Sequence, residues 1–63
     1  MKAKYYIVDY GKDMLECAEA LVNKLKEDKH HVVVYLTDME YLCSAMEISE
    51  DEFLSHYSII TNN

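Results

Sequence analysis

Residues 3–9, Ala-Lys-Tyr-Tyr-Ile-Val-Asp, open the chain with a β-branched and aromatic run that stops at Tyr10-Gly11. Such a run predicts a short strand ended by a turn. The period then changes. Met14, Cys17, Ala18, Leu21 and Leu25 recur at helical spacing, and Leu15 and Val22 widen the stripe. Glu16, Glu19, Asn23, Lys26 and Glu27 fall on the opposite, wet side. Asp13 stands three before Glu16, the spacing of a capping box that satisfies free amides at a helix start. The helix is expected to run to about Asp28, with Lys24, Lys26 and Lys29 at its negative end. His31-Val32-Val33-Val34-Tyr35-Leu36 follows as a second strand, continuously apolar as expected where both faces are covered. Strand, helix and strand with short joins predict a right-handed crossover between parallel strands.

The second half repeats the capping-box spacing twice. Thr37 and Glu40 predict a helix through about Glu47, with Met39, Leu42, Cys43 and Met46 inward. Ser49 and Glu52 predict another short helix, with Phe53, Leu54 and Tyr57 on its apolar side and Ile48 anchoring the bend. Residues 58–61, Ser-Ile-Ile-Thr, read either as a third strand or as a contact with a partner chain. The expected architecture is therefore a single α/β domain over residues 1–63. It comprises a β-α-β crossover with parallel strands, two short helices and an optional C-terminal strand.

Composition adds a stability problem to this picture. Hydrophobic residues make up 51% of the chain, which argues against disorder. Yet a chain of 63 residues buries only about 60% of the surface it exposes when unfolded, so an additional staple is expected. Cys17 and Cys43 are too few for a disulfide framework of the secreted kind. With no signal peptide in view, they read as reduced thiols in a cytoplasm, each serving as a small inward hydrophobe. No apolar run approaches the ~20 residues needed to span a bilayer. A homodimer is the staple that remains. Six tyrosines suit half-buried surfaces and interfaces, and Tyr5, Tyr6 and Tyr35 also suit strands.

Charge then narrows the choice of partner. After Lys29 the chain has no Lys and no Arg, but it carries Asp38, Glu40, Glu47, Glu50, Asp51 and Glu52. The formal net charge of −6 is assignable to that half, which should repel nucleic acid and attract a basic protein. The six carboxylates are accordingly the candidate partner-binding residues. Acids in a first helical turn are also favoured by the helix dipole, by ~0.3–1 kcal/mol each, so it is the missing lysine that needs explaining. Size and charge together suit an inhibitor or adaptor of the kind that phages and mobile elements encode. Its target would be a basic surface, including one that normally holds nucleic acid.

Two other chemistries are weighed against this reading. Asp9 and Asp38 follow the two expected strands, where ligands of parallel sheets sit, so a pair of carboxylates with Lys12 nearby would suit a metal-dependent phosphate enzyme. Gly11-Lys12-Asp13 lacks the rest of a phosphate loop, and no third ligand is visible. Residues 43–53 have helix-turn-helix spacing, but Glu47 stands at the turn and Glu50-Asp51-Glu52 would face phosphates. His30 and His31 are expected to point to opposite faces, His56 stands alone, and no Cys/His spacing matches a zinc site. A small chain also leaves little room for a cleft of about 300 Å³. Function by surface, with no catalytic residue, metal or cofactor, is the expectation.

Overall fold

A computed structural model describes the backbone of residues 2–61 and the side chains of residues 2–56. Three strands and two helices follow in the order β1 (Tyr5–Tyr10), α1 (Leu15–Glu27), β2 (His31–Leu36), β3 (Cys43–Ile48) and α2 (Glu50–Thr61). A single 3-10 turn over Lys12–Met14 leads into α1. The strands form one mixed sheet in the order β2-β1-β3, with β1 parallel to β2 and antiparallel to β3.

The parallel β1 and β2, joined through α1, agree with the first half of the sequence reading. The second half does not. Residues 37–47, expected to be helical, form a loop and then β3. Met39, Leu42, Cys43 and Met46 keep helical spacing, but β1 would otherwise have a bare side. The ladder that β3 supplies there satisfies a row of backbone groups that a helix would leave unpaired, so tertiary pairing overrides local propensity. Residues 58–61 are not a strand either, because α2 continues through Thr61. Ser49 opens that helix as expected, its Oγ accepting from the Glu52 amide at 3.1 Å. The other two capping boxes do not form. Neither the 3-10 turn nor α1 has a side-chain cap, and Thr37 Oγ1 instead accepts from the Met39 amide at 3.3 Å within a local turn.

The helices lie on opposite faces of the sheet. Even-numbered residues of β1 and β2 face α1, so Tyr10, Val32 and Val34 share a groove with Leu15, Ala18 and Val22. Odd-numbered residues face α2, where Phe53 meets the rings of Tyr5 and His31 at 5.2 and 5.9 Å. His30 and His31 accordingly diverge, His30 lying against Tyr6 and His31 stacking on Tyr5. Among the described residues, the buried hydrophobic ones are few: Ile7, Val8, Ala18 and Val33. The core is a thin seam along β1, as so short a chain allows.

α1 ends in a Schellman motif. The Lys29 amide donates to the Lys26 carbonyl and the His30 amide to the Leu25 carbonyl, with Lys29 at φ 67°. That left-handed position usually takes Gly, and Lys there carries a steric cost. Gly11 is required for the opposite reason. Its backbone is extended, but an added Cβ would collide with the Met39 and Glu40 carbonyl groups. The loop from β2 to β3 crosses directly over it, with the Gly11 amide donating to the Leu42 carbonyl at 2.8 Å.

Candidate functional site

The six candidate acids do not form one surface. β3 ends beside the start of β1, with Ile48 opposite Tyr5, so Glu47 and the Glu50-Asp51-Glu52 turn lie at that end. Asp38 and Glu40 follow the far end of β2, beyond the Tyr10 and Leu36 pair. At ~3.3 Å per residue along β1, the two groups stand roughly 17 Å apart. Lysines from the first half reach both. Lys4 Nζ lies 3.8 Å from Glu47 Oε1, and Lys12 Nζ lies 3.2 Å from Glu40 Oε2. All four side chains are about half exposed or more, so these pairs are worth little in stability. They do mean that the one-signed half of the sequence is not one-signed in space. The remaining exposed carboxylates of the set at the β3 end, Glu50, Asp51 and Glu52, fan out around the first turn of α2. Glu50 also acts on the Tyr5 hydroxyl. That hydroxyl is held above its ordinary pKa of 10.0, chiefly by desolvation and then by the Glu50 charge and hydrogen bond.

Asp9 and Asp38 do not share a recess. Asp9 lies within β1, opposite Tyr35 and Ser44, and faces α2. Asp38 lines a shallow hollow of 220 Å³ with Lys12, Leu36, Thr37 and Glu40 at the carboxyl ends of the parallel strands. Among the described residues, no group of three or more His, Cys, Asp or Glu side chains is placed to hold a metal ion. The helix-turn-helix spacing over residues 43–53 is also overturned, since its first half is strand β3.

Cys17 and Cys43 are disulfide-bonded, not free thiols buried in two helices. Their Cα atoms stand 6.6 Å apart, within the span a disulfide bridges. Cys17 is exposed on α1 and Cys43 opens β3, so the bond ties a helix to an edge of the sheet. Two cysteines far apart in sequence carry no signal of pairing; only the placement of β3 brings them together.

A groove of 570 Å³ lies between α1 and β2, lined by Tyr10, Leu15, Ala18, Val22, Val32 and Val34, with Glu19 and Lys26 among its polar lining. Its volume exceeds what the chain length led one to expect, because it is open along the free edge of β2. That strand was read as covered on both faces, and its exposure is the principal correction here. Val34 is 47% exposed and Leu36 60%. The edge position explains this, since β1 pairs with β2 along one edge only and the two helices cover its faces only in part. A continuous apolar run signals burial, but not whether the cover comes from the same chain.

No family model, no curated protein and no solved structure matches this chain. Among the described residues, no helix is long and apolar enough to cross a membrane.

Proposed function

We propose that the chain is a non-enzymatic protein-binding module whose acidic C-terminal half engages a basic protein surface, in the manner of an inhibitor or adaptor. The observation that carries this reading is the first turn of α2. Glu50, Asp51 and Glu52 stand exposed on consecutive positions, while the lysine ion pairs among the described residues involve Glu40 and Glu47 instead. Carboxylates clustered on a rigid helix end steer and orient a positively charged partner. Glu47 borders this turn with its charge partly offset by Lys4, and Asp38 and Glu40 contribute only to a partner large enough to reach both ends of the sheet.

The test is to change Glu50→Gln, Asp51→Asn and Glu52→Gln together. The variant should keep its helical and strand signal, lose the basic proteins that the wild type captures at about 150 mM salt, and leave other contacts unchanged. Capture of the same proteins by the folded triple variant overturns the reading.

A further inference from the structure

The free edge of β2 is built to receive a β-strand. The His31 amide donates to the Lys4 carbonyl and the Thr37 amide to the Tyr10 carbonyl, so odd-numbered residues of β2 bond inward to β1. By the alternation of a parallel ladder, Val32, Val34 and Leu36 turn their amides and carbonyls outward. The side chains of Val32 and Val34 line the α1 groove, Leu36 lines the hollow beside it with Lys12 and Glu40, and no residue of the strand is Lys, Arg, Asp or Glu. Exposed edges are normally blunted by charge, proline or a bulge, and this one has none of these.

We infer that a second copy of this chain covers the edge, with β2 pairing antiparallel to β2 across a two-fold axis at Val34. This goes beyond the acidic turn of α2 and does not depend on it. In that register Val34 faces Val34 of the copy and Val32 faces Leu36 of the copy. These are the three outward-bonding residues, so every outward amide and carbonyl finds a partner. A two-fold perpendicular to the sheet keeps α1 and its copy on one face, where the two grooves merge into one apolar strip. Glu19 and Lys26 lie toward opposite ends of the groove lining, so the rotation carries each Glu19 toward Lys26 of the copy and sets unlike charges together. The acidic turn of α2 follows β3, the far strand of the sheet, away from this axis.

The assembly closes at two. After pairing, the remaining edges belong to β3, whose outward residues are Cys43, Ala45 and Glu47, a disulfide, a methyl group and a charge.

Sedimentation equilibrium of the intact, disulfide-bonded chain should return twice the 7.4 kDa monomer mass. Val34→Lys places two ammonium groups at the axis and should weaken the dimer about 100-fold, with circular dichroism unchanged. Leu36→Lys, at a more exposed position, should do the same and serves if Val34→Lys fails to fold. Ala45→Lys, on the opposite edge, should leave the dimer intact. Hydrogen exchange on the wild type needs no variant: the Val32, Val34 and Leu36 amides should be protected, and more so at higher concentration. A monomeric wild type overturns the proposal, including one that takes up a strand from another protein. So does a dimer that survives both folded lysine variants, one that Ala45→Lys breaks equally, or outward amides that exchange freely.

Discussion

The two edges of the sheet flank the same central strand and differ in almost every other respect. β2 joins β1 in parallel, carries only apolar side chains and His31, and offers Val32, Val34 and Leu36 along its outer backbone. β3 joins antiparallel, and its outer backbone belongs to Cys43, Ala45 and Glu47. Cys43 is bonded to α1, and Glu47 is paired with Lys4. Apolar content alone would make β2 the better-anchored strand, yet it is the one left exposed. β3 has weak strand propensity and little buried area, but the chain holds it covalently and keeps it from further pairing. Where a strand is secured within its own chain, its edge is closed; where it is not, the edge stays open to another chain.

Breaking that contrast is easiest at the disulfide. Changing both Cys17 and Cys43 to Ser should destabilise the fold by about 3 kcal/mol, as expected for a closed loop with a sequence separation of 26. The loss is read as a lower urea midpoint than the wild type, reproduced in the wild type by a reductant. β3 amides should then exchange before those buried between β1 and β2. An unchanged midpoint would mean that the bond does not secure β3.

A similar break, somewhat smaller, lies under the crossing loop. Gly11→Ala forces a methyl group into the Met39 and Glu40 backbone, which cannot move without unseating the start of β3. Overpacking of this kind costs about 2 kcal/mol. Equal thermal stability of the alanine variant would show that the loop does not rest on Gly11.

The smallest effect sharpens the contrast by improving β2. Lys29→Gly removes the steric cost of a left-handed residue at the turn that feeds this strand, and should stabilise the domain by about 0.5–1 kcal/mol after the added freedom of the unfolded chain is counted. The melting temperature should rise by a few degrees. A fall would mean that the lysine side chain contributes more at this turn than its backbone costs.

The parts of this fold visible in sequence are those decided locally. β1 and β2 announce themselves by β-branched and aromatic runs and α1 by its period, and Ser49 with Glu52 marks the start of α2, because a cap hydrogen bond joins residues only three apart. β3 was invisible for the converse reason. Cys-Ser-Ala-Met-Glu-Ile has no strong preference, and its conformation comes from an available edge of β1 that no local pattern records. The candidate site suffered in the same way. Six acids without a nearby lysine in sequence proved to have Lys4 and Lys12 beside two of them, since β1 runs through the middle of the sheet and its flanking residues reach both ends. The histidine divergence at His30 and His31 was legible because alternation along a strand is purely local.

The central place of β1 has a consequence in time. Of the three strands, the first to be made is the one that both others need, and neither partner follows it by a tight turn. Tyr5 waits for His31 on one side and for Ile48 on the other. No hairpin forms early to shelter it, and every pairing in the sheet closes a long loop. A helical chain of this length, rich in local contacts, folds in about microseconds to milliseconds, and the non-local pairings of this mixed sheet place it on the slower side of that class. Until α1 and β2 have been made, Tyr5, Tyr6, Ile7 and Val8 stand uncovered together.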